Sequence, residues 1–179
     1  LASQQHQLHQ QHQHRRPHHQ QQQDGSSGYL LHQPPVVRSD QLLGLDDPAN
    51  SVRQSLQLFP EGFAFSGILL FGPPGSGKSA LVNSLIASMF GRFTIFAVSA
   101  GELTASSHIR SLFSEAAAAS TDRPVVVSID AVDSICRSDC LKLAFRKELD
   151  RKSARVVVLA STNLPWELDM SVLRHFERR

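Results

Sequence analysis

Gly67–Ser79 reads GILLFGPPGSGKS. Its first five residues form a short continuous apolar run, the pattern of a strand buried on both faces. Its last eight match G-x-x-x-x-G-K-[ST], a loop that wraps phosphate when a strand precedes it and a helix follows. The helix is legible: Lys78–Phe90 (KSALVNSLIASMF) sets Leu81, Val82, Leu85 and Met89 at helical spacing, and Gly91 follows as a stop. Gly72, Gly75 and Gly77 let the backbone curl so that successive N–H groups face inward. The helix N-terminus adds positive partial charge at the same point. Lys78 brings an ammonium to the β- and γ-phosphates, and Ser79 offers a hydroxyl to Mg²⁺. Pro73, Pro74 and Ser76 complete the loop, and Ala80 follows in the first helical turn. An ordinary Gly/Pro turn is the competing description, and the strand–loop–helix context stands against it.

Downstream the alternation continues. Phe93–Val98 (FTIFAV) predicts a second strand and Pro124–Asp130 (PVVVSID) a third, rich in β-branched residues. Arg155–Ala160 (RVVVLA) predicts a fourth. Between them, a helix capped by Ser107 turns Ile109, Leu112, Phe113, Ala116 and Ala117 inward. Another, capped by Ser138 or Asp139, turns in Leu141, Ala144, Phe145 and Leu149. Strands alternating with helices predict an α/β fold: a parallel sheet with right-handed crossovers, in three α/β/α layers. Mg²⁺ needs a carboxylate opposite the loop at a neighbouring strand's C-terminal end, and Asp130 is delivered there. A strand-end Asp also serves as a turn cap, so that description stays open.

Upstream the character changes. Residues 1–23 hold 10 Gln and 6 His, a composition that cannot bury a core. DGSSG (Asp24–Gly28) and Pro34-Pro35 extend the linker, so residues 1–38 read as a disordered tail and 39–179 as the folded domain. The tail histidines lack the fixed geometry of a metal site. Cys136 and Cys140 have no further Cys or His at ligand spacing, and two cysteines make no disulfide framework. The 179-residue chain carries 18 Lys plus Arg against 16 Asp plus Glu, a net charge of +2. That balance speaks against a nucleic-acid footprint, and no apolar run reaches the roughly 20 residues of a membrane span. The start at Leu1 reads as a fragment or a processed piece.

Three segments together, GILLFGPPGSGKS, VVVSIDAVDSI and VVVLASTNLPWELD, resemble the AAA-type P-loop ATPases in order and spacing. Thr162–Arg179 is most similar to the katanin group of microtubule-severing ATPases, with spastin, fidgetin and the vacuolar-sorting relatives sharing much of it. The resemblance implies bound ATP with Mg²⁺. It implies that Gly44 and Leu45 lie against the adenine, and that Gly72–Ala80 hold the phosphates. Asp130 would be the metal's carboxylate, with Ser79. Asn163 would hold the attacking water near the γ-phosphate, and Arg174 and Arg179 would reach the nucleotide of an adjacent subunit in a ring, most often a hexamer. Microtubules as partner, ATP hydrolysis coupled to remodelling of a protein polymer, and a cytoplasmic, cytoskeleton-associated location follow from the same resemblance. From the residues alone, Asn163 before Leu164-Pro165 also describes a turn, Arg174 a surface helix residue, and Trp166 a packing residue.

The departures are specific. Where the family reads D-E-x-D, this chain reads Asp130-Ala131-Val132-Asp133. A methyl group can neither accept a proton nor orient water, and such groups contribute about 10²–10⁴-fold in rate. Asp133 lies a helical turn further on and is a poor substitute. The family's adjacent arginine pair is Arg174-His175 here. SAGELTASSHIRSLF (Ser99–Phe113) carries no aromatic-basic pore element, and the chain stops before a helical lid. A hydrolysing ATPase, a nucleotide-binding module deficient in hydrolysis and a decayed product are therefore the three readings. A guanine-nucleotide switch is a poor fit, because an Asn-Lys-x-Asp segment is absent.

Overall fold

The computed structural model describes residues 28–36, 44, 46–58, 67–151 and 155–176, apart from the side chains of 57 and 58. Helix α1 (Asp46–Leu58) precedes strand β1 (Gly67–Phe71), the loop and helix α2 (Lys78–Met89). Strand β2 (Thr94–Ser99), a 3₁₀ turn at Ala100–Glu102 and helix α3 (Ser106–Ala119) follow. Strand β3 (Val125–Asp130), the short helix α4 (Asp133–Cys136) and helix α5 (Asp139–Arg151) come next. Strand β4 (Val156–Thr162), a 3₁₀ turn at Pro165–Glu167 and the short helix α6 (Met170–Leu173) close the described chain.

The sheet order is β1-β4-β3-β2, with every pair parallel. Period-2 alternation along the strands builds two cores. Val125, Val127, Ile129, Val156, Val158 and Ala160 face α3, α5 and α6. Val126, Val157, Leu159, Ile68 and Ile95 face α1 and α2. This is the three-layer α/β/α arrangement expected from the alternation. The chain leaves β1 through α2 on one face, reaches the far edge at β2 and returns through β3 and β4 beneath helices on the other face. A reversal of that kind opens a crevice at the strands' C-terminal ends.

Several local expectations shift. Ser107 lies inside α3, whose N-cap is Ala105, and Ala117 faces solvent. Ser138 does sit at the N-terminus of α5, its carbonyl accepting from Lys142 N at 2.8 Å. Trp166 is 75% exposed and packs on no core. Helix α1 lies where the pattern gave no helix; its apolar stripe is only Ala49, Val52 and Leu56.

The expected tail also contributes. Leu30 bridges Phe96 in antiparallel fashion. Leu31 N donates to Ile95 O at 2.9 Å, and Ala97 N to Tyr29 O at 2.9 Å. Residues 29–31 thus pair with the outer edge of β2, which otherwise presents unpaired backbone groups. Tyr29 and Leu30 pack on one core and Leu31 on the other. Burial first, then the carboxylates of Glu102 and Glu115, push the Tyr29 phenol above its ordinary range. Residues 1–27 and 37–43 lie outside the described residues.

Gly67 is required by packing. A Cβ there would stand 2.9 Å from Phe176 Cδ1 and 3.1 Å from the Val158 carbonyl oxygen. Phe176 is 1% exposed, so its ring has little room to retreat. Gly67→Ala is expected to destabilise by about 2 kcal/mol, the usual scale of overpacking. A thermal melt reads this as a fall of several degrees, and an unchanged melt would contradict the seat of Phe176 on β1.

The cysteines divide by environment. Cys136 is buried and Cys140 exposed. Burial, reinforced by the Asp169 carboxylate, pushes the Cys136 thiol up to about 11. Between the unfolded value near 9 and that of the folded state, the unfolded chain ionises while the native chain keeps its proton. Stability therefore falls across that window as pH rises. At pH 8 a thiol reagent should label Cys140 quickly and Cys136 only after unfolding, as mass spectrometry of the labelled chain will show.

Candidate functional site

Three chain segments meet at the C-terminal edge of the sheet. Phe71 pairs with Thr162 in the β1–β4 register, so the loop leaving β1 starts beside Asn163. The neighbouring strand β3 ends at Asp130. Gly75 and Gly77 take φ of 78° and 85°, left-handed values that suit glycine and cost other residues roughly 1–2 kcal/mol. Ser76 N closes the turn on Pro73 O at 3.3 Å, and Leu81 N on Gly77 O at 2.8 Å opens α2. The Lys78 ammonium donates to Gly72 O and Pro73 O, both at 2.8 Å, and to Ser76 Oγ at 3.2 Å. All three of its donors thus engage its own loop.

A cleft of about 490 Å³ lies between these segments, lined by Pro74, Gly75, Gly77, Lys78, Ser79, Ala80, Asp130, Ala131, Ser161, Thr162 and Asn163. It brings together most of the residues expected at the phosphates. Gly72, Pro73 and Ser76, also expected there, do not line it; each meets Lys78 instead. A smaller cavity of about 300 Å³ adjoins it behind α2 and shares Ser79, Asp130 and Ser161. The donor chemistry fits a triphosphate with Mg²⁺. A hydroxyl (Ser79) and a carboxylate (Asp130) supply the hard oxygens that a small dication takes, and the ammonium and the helix N-terminus answer phosphate charge. Asp130 is the only acidic side chain lining the cleft among the described residues.

The ends of β3 and β4 are tied by a network that pattern reading missed. Ser161 Oγ donates to Asp130 Oδ1 in a short contact. Ala131 N reaches Ser161 Oγ at 3.4 Å, and Val132 N donates to Ser161 O at 2.9 Å. Thr162 Oγ1 donates to Asp133 Oδ1 at 2.6 Å and accepts from Leu164 N at 3.0 Å. Asp133 is 6% exposed and points to Thr162, not into the cleft. Arg137 reaches its other oxygen at 3.4 Å and Glu167 at 3.0 Å. Ala131 itself is held at φ 53°, a left-handed conformation that is strained for a residue with a Cβ.

The remaining expected residues lie elsewhere. Gly44 sits in an exposed turn at φ 77° and lines neither cavity. Leu45 and Arg179 fall outside the described residues. Arg174 is away from the cleft. It donates to Asp150 on α5 at 2.8 Å and to His175 Nε2 at 3.3 Å, with its side chain 56% exposed. The β2–α3 connection is the 3₁₀ turn followed by Leu103–Ala105, without an aromatic residue. No group of three or more His, Cys, Asp or Glu that could hold a metal occurs among the described residues. None of their helices is long and apolar enough to cross a membrane.

Comparison with known proteins gives a consistent picture. The sequence model of the ATPase family associated with various cellular activities (AAA) matches residues 68–179. Vacuolar protein sorting-associated protein 4A of Homo sapiens is 30% identical across 85% of this chain and 40% of its own length. Spastin of Naegleria gruberi is 37% identical across 63% of this chain and 25% of its own length. A solved structure described as the structural basis for katanin self-assembly superposes with a TM-score of 0.64 at 30% identity. It covers 79% of this chain and 51% of that one. The chain thus spans well under two thirds of the relatives it matches.

Proposed function

Because the chain belongs to the AAA family of ATPases, whose members use ATP with a divalent metal, we propose that it binds Mg-ATP in the 490 Å³ cleft and hydrolyses it slowly. One observation carries this reading. The cleft brings together Pro74, Gly75, Gly77, Lys78 and Ser79 of the loop with Asp130 and Asn163, yet its only carboxylate among the described residues is Asp130. Gly72–Ala80 would hold the phosphates, and Ser79 with Asp130 would hold Mg²⁺. The metal, when bound, neutralises charge on the β- and γ-phosphates. Asn163 would orient water or a γ-phosphate oxygen. Ala131 supplies no acceptor for a proton, and Asp133 is committed to Thr162 and Arg137.

On this reading the chain persists in the ATP-bound state and joins or modulates a ring of like subunits, through Arg174 and Arg179. The connection after β2 lacks the aromatic-basic element that would grip a polymer, which supports modulation over direct remodelling. A cytoplasmic site of action beside the cytoskeleton, with microtubules as the polymer served, belongs to the same proposal. The exposed position of Arg174 favours a second reading, in which a neighbouring subunit completes the chemistry and the ring hydrolyses ATP.

A titration with a fluorescent (mant) ATP analogue, followed by single-turnover hydrolysis, tests both. Saturable, Mg²⁺-dependent binding with little turnover is the expected result. Turnover that appears only as concentration promotes assembly supports the second reading, and absence of binding overturns both.

A further inference from the structure

Asn163 carries an expected role at the γ-phosphate, yet its own side chain is exposed at the cleft. Its placement has to come from its neighbours. On one side, the Thr162 hydroxyl is fixed by the Asp133 carboxylate at 2.6 Å. On the other, Leu164 N is fixed by that same hydroxyl at 3.0 Å. One oxygen therefore clamps the backbone before and after Asn163. Two further links tie the following residues to the same wall: Arg137 to Glu167 at 3.0 Å and Lys142 to Asp169 at 2.9 Å. Both arginine and lysine heads lie near solvent, where ion pairs hold weakly. The Asp133–Thr162 bond differs because both residues are buried, at 6% and 1% exposure. A hydrogen bond to a carboxylate shielded from water is strong, and losing one partner leaves the other unsatisfied.

We propose that the buried Asp133–Thr162 pair is a positioning device that holds Asn163 on the γ-phosphate, so that ATP is told from ADP. The proposal rests on the reading of the cleft given above. Neither residue touches nucleotide in this scheme; both act through Asn163. The acid at 133 thereby has a task separate from that of a carboxylate at 131, a position that in this chain holds alanine.

The test compares affinities for mant-ATP and mant-ADP with Mg²⁺, on the full chain. Asn163→Ala should lower the preference for ATP about tenfold and leave ADP affinity within about twofold, the scale of one hydrogen bond to a charged group. Thr162→Val, which keeps shape and removes the hydroxyl, should do the same. Thr162→Ser should restore the preference. In the Asn163→Ala background, Thr162→Val should lower it no further, whereas a merely structural role would weaken ADP binding too. A Thr162→Val chain with intact preference, or with effects that add to Asn163→Ala, overturns the proposal. Should Thr162→Val fail to fold, Asp133→Asn replaces it. Arg137 would hold the amide oxygen, leaving an N–H₂ toward Thr162 and no acceptor for its hydroxyl. A fall of about threefold in ATP preference supports the proposal, and an unchanged preference overturns it. If Asn163→Ala itself retains full preference, or Lys78→Ala binds ATP as the parent does, the reading of the cleft falls first and this inference with it.

Discussion

Ala131→Glu should raise single-turnover hydrolysis of bound ATP at least tenfold. The expectation follows from what the cleft contains. Lys78, Ser79, Asp130 and Asn163 line it, and Ala131, directly after Asp130, lines it with a methyl group only. A positioned acid or base contributes about 10²–10⁴-fold to such a reaction, and a gain below that range is expected because, on the ring reading proposed above, turnover would also draw on an adjacent subunit's arginine. Binding should change little, since no phosphate or metal contact depends on the methyl. The new side chain enters a backbone already at φ 53°, so it adds no conformational penalty beyond the one alanine bears. Flat turnover with intact binding would show that something other than the missing carboxylate limits the reaction.

Lys78→Ala should weaken Mg-ATP binding by a hundredfold or more. The ammonium of Lys78 is the one cationic side chain lining the cleft among the described residues. Charge-assisted hydrogen bonds contribute about 1.5–3 kcal/mol each. Two such bonds to β- and γ-oxygens amount to roughly 3 kcal/mol, or more than a hundredfold. The existing bonds to Gly72 O, Pro73 O and Ser76 Oγ pre-order the side chain, and nucleotide must exchange with some of them. Because these partners lie at a partly exposed loop, the thermal melt should move by only a few degrees. Unchanged affinity would refute the phosphate-loop assignment. A collapse of the melt would instead give this lysine a mainly structural role.

Legibility tracked the range over which each feature is decided. The run Gly67–Ser79 was readable because strand burial, glycine freedom and helix onset are all settled within 13 neighbouring residues. Strand limits moved by one or two positions: β2 is Thr94–Ser99 and β4 extends to Thr162. Those ends are set by partners across the sheet, which a single-strand pattern does not contain. Helix α1 escaped notice because three apolar residues suffice once α2 offers them a surface. The pairing of Tyr29–Leu31 with β2 lies beside a Gln/His-rich run whose composition argues against any order.

The sequence by itself determined the chemistry on offer: a glycine-rich curl with a lysine and a serine, a strand-end aspartate, and alanine in place of glutamate. Those are identities, and identity settles which charges, donors and acceptors exist. Only the tertiary structure decided how they are aimed. Ser161 meets Asp130, and Thr162 meets Asp133, across separations of 31 and 29 residues. The β3–β4 register carries Ser161 beside Asp130, and the turn from β3 into α4 brings Asp133 back to Thr162, so no local pattern could have announced that Asp133 is buried and occupied while Asp130 faces the cleft.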